Sequence, residues 1–74
     1  MPTLTVNGAP RQVDAPLTID ALLAALGRDP GQPGVAVAVG RAGGPDRVVR
    51  RAEWAATTVG DGDRVEVITA AQGG

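Results

Sequence analysis

Side chains able to do covalent or acid–base chemistry are scarce in this sequence. It has no cysteine, histidine, lysine, tyrosine or serine. The basic residues are all arginines, Arg11, Arg28, Arg41, Arg47, Arg50, Arg51 and Arg64, and a guanidinium stays charged near neutrality and serves poorly as a proton shuttle. Nucleophiles and general bases are thereby reduced to six threonines and eight carboxylates, and a conventional active site is not expected. Zinc, haem and iron–sulfur sites draw mainly on Cys and His, so no metal site is expected either. Codon bias is the plain explanation for the missing lysines, and it also suits the Ala/Gly/Val/Arg-rich composition. What remains is the end of the chain, "TAAQGG". One reading of Gly73 and Gly74 is a frayed terminus, since small residues tolerate disorder. The other is that the α-carboxylate of Gly74 is the reacting group, with Gln72 and Gly73 as its lead. Glycines have no Cβ to clash and adopt backbone angles that other residues avoid.

Other candidate sites fail on their spacing. "GRAGGPDR" has glycines but lacks the Gly-Lys-Thr/Ser ending of a phosphate-binding loop. Asp61, Gly62 and Asp63 invite a calcium reading, but the remaining ligands of an EF-hand loop are missing and a tight turn accounts for them. A net charge of −1 and a single aromatic residue, Trp54, leave neither a basic face nor a stacking platform for nucleic acid. "MPTLTVNGAP" has no basic segment followed by an apolar run, and no stretch approaches a membrane span. The expectation is a cytoplasmic, membrane-free protein, monomeric alone, with one domain over residues 1–74 and a flexible tail over 70–74. A chain of 74 residues buries only about 60% of its unfolded surface, so its stability must come from packed aliphatic side chains.

The hydropathy pattern shows what positions the terminus. "TLTV" alternates, with Leu4 and Val6 on one face, and Asn7-Gly8 is a strong hairpin signal because both residues accept positive φ. In the return strand Val13 is expected on the side of Leu4, and Pro10 suggests an edge. "LTIDALLAALG" reads as a helix. Thr18 is its cap, Asp20 favours its N-terminal dipole, and Leu17 and Leu22 have staple spacing. Ile19, Leu22, Leu23 and Leu26 form its apolar face, and Gly27 and Pro30 end it. "VAVAV" reads as a strand, "RVV" as a short one, "RAEWAATTV" as a helical or irregular connection, and "RVEVIT" as the last strand after the "GDGD" turn. One amphipathic helix requires one apolar sheet face. The resulting fold class is α+β, a β-grasp with a mixed four- to five-stranded sheet packed on one main helix.

The last strand leads directly into "AAQGG". If Val65 and Val67 meet the helix, Ile68 is exposed beside Ala36 or Ala38. Such a patch is either a partner-docking surface or a scattered surface isoleucine of no consequence. Trp54 reads as a packing anchor rather than a contact residue. Arg51 and Arg64 read as solvated charge, with pairing to a partner's acids as the alternative.

The stretch "VVRRAEWAATTVGDGDRVEVITAAQGG" resembles the C-terminal half of the thiamine-biosynthesis sulfur carriers, a ubiquitin-like family. Arg51, Glu53, Trp54, the Asp61-Gly62-Asp63 turn, Val65, Val67 and Gly73-Gly74 carry the resemblance. "VNG", "LTIDALLAAL" and "VAVAV" match in order and spacing, so the likeness covers nearly the whole chain. A terminal Gly-Gly alone would be weak in a chain with 11 glycines. The longer "GRAGGPDR" replaces the tight turn usual in the family, and Arg50 stands where proline is frequent.

The resemblance implies that the chain is not itself an enzyme and binds no cofactor. A partner adenylating enzyme of the E1-like type would use ATP and magnesium to activate the Gly74 carboxylate. A sulfur donor system, a cysteine desulfurase or its equivalent, would supply sulfur to give a thiocarboxylate, and thiazole synthase would consume it. The alternatives are a carrier for molybdopterin or cysteine synthesis, a modifier conjugated to lysines through Gly74, and a non-covalent binding module with an incidental tail.

Overall fold

The computed structural model describes residues 3–14, 16–29, 31, 33–41 and 43–69. The expected flexible tail over 70–74, with Gln72, Gly73 and Gly74, lies outside those residues.

Alternation and turn chemistry build the first hairpin as expected. Strand β1, Thr3–Val6, buries Leu4 and Val6, and β2, Ala9–Gln12, returns antiparallel with Val6 opposite Ala9. The two-residue loop places Asn7 at φ 51° and Gly8 at φ 83°, the pair of positive angles that a type I′ turn demands. Val13 follows β2 and packs against the core. Pro10 lies on β2, the outermost strand on its side, where its missing N–H costs no ladder bond.

The helix α1, Ile19–Ala25, turns Ile19, Leu22 and Leu23 inward. Gly27 follows at φ 79°, which suits a residue just past a helix end. Its start departs from the expected side-chain cap. Thr18 occupies the cap position, but its hydroxyl donates to the Asp20 carboxylate and makes no capping bond. The Ile19 N–H instead donates to the carbonyls of Trp54, at 3.2 Å, and Thr57, at 3.0 Å. The reason is tertiary. Leu17–Thr18 forms a two-residue strand, β3, which pairs antiparallel with a distant counterpart in the second half of the chain, so main-chain carbonyls satisfy the first helical amide.

After α1 come β4, Val35–Gly40, and β5, Asp46–Val49. A 3-10 turn over Arg51–Glu53 and the short β6, Thr58–Val59, complete the connection, and β6 is the partner of β3. The chain then enters β7, Arg64–Thr69. The main sheet has the order β2-β1-β7-β4-β5, with β1 and β7 parallel and the other neighbours antiparallel. The last strand is therefore the central one. Its Val65 and Val67 meet Leu4, Val37, Val39, Val49 and the helical leucines in one core. Trp54 belongs to this core as the expected packing anchor, 2% exposed, with its indole N–H donating to the Val49 carbonyl at 2.9 Å.

The "GDGD" segment is a tight turn with a structural task. Asp63 is buried and accepts bonds from Arg41 Nη1 at 2.8 and 2.7 Å and from the Gly60 N–H at 2.8 Å. Asp61 accepts the Thr3 N–H, and the Gly62 N–H donates to the Thr3 carbonyl. The turn is thus stitched to β1 at the point where β7 begins. Asp63→Ala is expected to cost about 1–3 kcal/mol, because it strands a buried Gly60 N–H and unpairs Arg41. Urea unfolding should show a lower midpoint with an unchanged slope.

Candidate functional site

The candidate site is the exposed face of the sheet around the end of β7. Alternation sends Val65 and Val67 to the core, and Arg64, Glu66 and Ile68 to the opposite face. Register fixes their neighbours. Ile68 lies opposite Ala36, Ala38 lies between Glu66 and Val48, and Gly40 lies between Arg64 and Asp46. The three β4 positions on this face are all small, so side chains of β7 and β5 stand higher on either side. Ile68 is 58% exposed and Val48 is 68% exposed. The structure thus brings together the three expected docking residues, Ile68, Ala36 and Ala38, and adds Val48. The added residue was legible in principle: with Val49 in the core, alternation in "DRVV" turns Val48 outward.

The end of this face nearer the start of β7 is polar. Arg64 Nη2 bonds the Asp46 carboxylate at 2.7 Å and the Gly44 carbonyl at 2.6 Å. The pair passes directly over Gly40, where an added Cβ would collide with both side chains. Arg64 is therefore engaged within the chain and fastens the long β4–β5 loop to β7, rather than standing as solvated charge. Arg51 likewise has an internal role, with its guanidinium 4.9 Å from the centre of the Trp54 ring. The apolar residues cluster at the other end, beside the last residue of β7, Thr69. There Arg28 Nη1 donates to the Thr69 hydroxyl at 3.2 Å. Among the described residues the surface has no enclosed pocket, and no group of three or more carboxylates is close enough to hold a metal ion. The arrangement is an open apolar face beside the last residues of the central strand β7.

One helix cradled by a five-stranded mixed sheet whose last strand is central defines a ubiquitin-like β-grasp protein. The family model of the ThiS family matches residues 4–74, and the chain belongs to that family. The chain is also similar to the crystal structure of the thiamine biosynthesis protein ThiS from Geobacter metallireducens. The two are 40% identical with a TM-score of 0.74, over 97% of this chain and 99% of that one. No curated protein matches.

Proposed function

We propose that this protein is a sulfur carrier of thiamine biosynthesis, and that its reacting group is the carboxylate of Gly74. The observation that best supports this reading is the placement of β7. The central strand of the sheet runs out beside an exposed aliphatic face and is followed in sequence by Ala70, Ala71, Gln72, Gly73 and Gly74. The family match extends through those residues.

A carboxylate is a poor electrophile, and nothing in this chain activates it. In the proposed reaction a partner adenylating enzyme supplies ATP and magnesium. A Gly74 carboxylate oxygen attacks the α-phosphorus, pyrophosphate leaves, and an acyl-adenylate forms. A sulfide-level nucleophile from a sulfur donor system then attacks the acyl carbon. The carbon–oxygen bond to AMP breaks, AMP departs with the electron pair, and a thiocarboxylate remains on Gly74. Thiazole synthase takes that sulfur. The chain is a cosubstrate throughout and not a catalyst. With no cysteine in the sequence, it has no side chain on which a persulfide could form, so the terminus is the carrying position.

Docking falls to Ile68, Ala36 and Ala38, extended by Val48. Ile68→Asp is expected to raise the KM for the adenylating enzyme about tenfold or more, as loss of a central apolar contact does. The melting temperature should change little, because the side chain is mostly outside the core. Titration of the variant in an adenylation assay, beside a thermal melt, checks both. The pathway itself is tested by reconstitution with thiazole synthase. Thiocarboxylated protein is expected to support thiazole formation in stoichiometric amounts. If it is consumed instead by an enzyme of molybdopterin or cysteine synthesis, with thiazole synthase inert, the assignment to thiamine falls.

A further inference from the structure

The parallel pairing of β1 with β7 stops early, and one side chain replaces what is missing. Along the ladder the Thr5 N–H donates to the Asp63 carbonyl and the Asn7 N–H to the Val65 carbonyl. A continuing β1 would next offer Val67 a carbonyl from residue 7 and an N–H from residue 9. It cannot, because the chain reverses at Asn7-Gly8 and Ala9 already pairs back with Val6. The Asn7 side chain supplies both groups. Its Oδ1 accepts the Val67 N–H at 2.8 Å, and its Nδ2 donates to the Val67 carbonyl at 3.3 Å. A carboxamide has the same donor and acceptor chemistry as a peptide group, so Asn7 acts as one further strand residue on that edge of β7. The left-handed backbone at Asn7, φ 51°, tightens the turn, and asparagine is among the few non-glycine residues that adopt it readily.

We propose that Asn7 is a positioning residue for the carrier reaction, its side-chain amide holding β7 at Val67 so that Ile68 and Thr69, from which the lead to Gly74 starts, keep one orientation in the sheet. This rests on the reading of Gly74 as the sulfur-bearing group. Val67 lies just before Ile68 on the docking face and two residues before Thr69, where the pairing of β7 with β4 also ends. Past Val65, β4 holds one edge of the strand and the Asn7 amide holds the other. The lead toward Gly74 starts from Thr69, so a shift of β7 at Val67 moves that starting point relative to the docking face that β7 forms with β4 and β5.

The discriminating variant is Asn7→Gly. Glycine keeps the positive φ and hence the turn, while the amide is lost. Asn7→Asp is the companion: it keeps an acceptor for the Val67 N–H and removes the donor to the Val67 carbonyl. Each full-length variant is measured with the adenylating enzyme, ATP and magnesium, and by amide exchange and residual dipolar couplings. For Asn7→Gly, exchange at Val67 is expected to rise about tenfold, the scale of a lost hydrogen bond, with Leu22 and Val65 still protected. The couplings of the Ile68 and Thr69 amides should change. The kcat for adenylation should fall about tenfold or more, since small misplacements of a reacting group are costly, with KM nearly unchanged. Asn7→Asp should fall between wild type and Asn7→Gly in kcat.

Altered exchange at Val67 with wild-type kcat would reduce Asn7 to a turn residue and overturn the proposal. Unaltered exchange and couplings would overturn it as well. Should the wild-type chain fail to be adenylated where a control carrier succeeds, the carrier reading falls separately. The couplings then decide the clamp: identical Ile68 and Thr69 orientations in wild type and Asn7→Gly would refute it.

Discussion

Adding one alanine after Gly74 is expected to abolish sulfur loading and to leave the fold as it was. The extra residue moves the terminal carboxylate by up to about 3.5 Å along an extended chain. Reacting atoms must approach to about 3–3.5 Å in the right orientation, and a misplacement of about 1 Å can cost 100-fold. A displacement of a whole residue therefore puts the carboxylate out of reach of the α-phosphorus, and the methyl group adds a side chain where Gly74 has none. Among the described residues the core ends at Val67 and pairing with β4 ends at Thr69, so none of the described contacts that hold the sheet together is touched. Circular dichroism and the thermal midpoint should match the wild type, while the loading rate drops by at least about two orders of magnitude. Deleting Gly74 should act in the same way. Loading of the extended chain at the wild-type rate would mean that the α-carboxylate of Gly74 is not the reacting group.

The largest effect on stability is expected from Trp54→Ala, at about 3–5 kcal/mol. Trp54 is the only aromatic residue of the chain and joins three parts of the fold. Its ring fills the core, its indole N–H satisfies the Val49 carbonyl at the end of β5, and its own carbonyl accepts the Ile19 N–H at the start of α1. The Arg51 guanidinium covers the ring. Truncation leaves a cavity and an unpaired carbonyl together. Domains are stable by only about 5–15 kcal/mol in total, and short chains lie toward the lower end. A midpoint lowered by about 15 °C or more is expected, or loss of cooperative unfolding altogether. Trp54→Phe keeps most of the apolar area and loses the N–H, and should cost less. A Trp54→Ala midpoint within a few degrees of the wild type would contradict this account of the core.

The elements that sequence reading placed correctly are those set by local rules. Asn7-Gly8 dictates its own turn, the spacing of Ile19, Leu22 and Leu23 dictates a helix face, and "RVEVIT" alternates cleanly enough to place Ile68 outside. What stayed hidden depends on partners far away in the chain. The helix start could not be read from Thr18, because the groups that satisfy Ile19 belong to Trp54 and Thr57. Asp63 looked like a turn residue, and its burial under Arg41 follows only from how β4 approaches the turn. Arg64 gave no sign of its bond to Asp46 across Gly40. The Asn7 amide is the strongest case. The turn it makes is local, but its bonds reach Val67, sixty residues away, and only the parallel register of β1 on β7 brings the two together. For the site itself, the exposure of Ile68 followed from alternation, and that of Val48 follows the same rule once Val49 is in the core, whereas the position of Val48 beside Ala38 needed the β4–β5 register.

Intact mass spectrometry of the wild-type chain tests the central claim most directly. The protein is incubated with an adenylating enzyme, ATP, magnesium and a sulfide source, and then fragmented. The expected result is an ATP-dependent gain equal to the mass of sulfur minus that of oxygen, confined to the fragment ending at Gly74. An unchanged mass, under conditions that load a control carrier, would contradict the account.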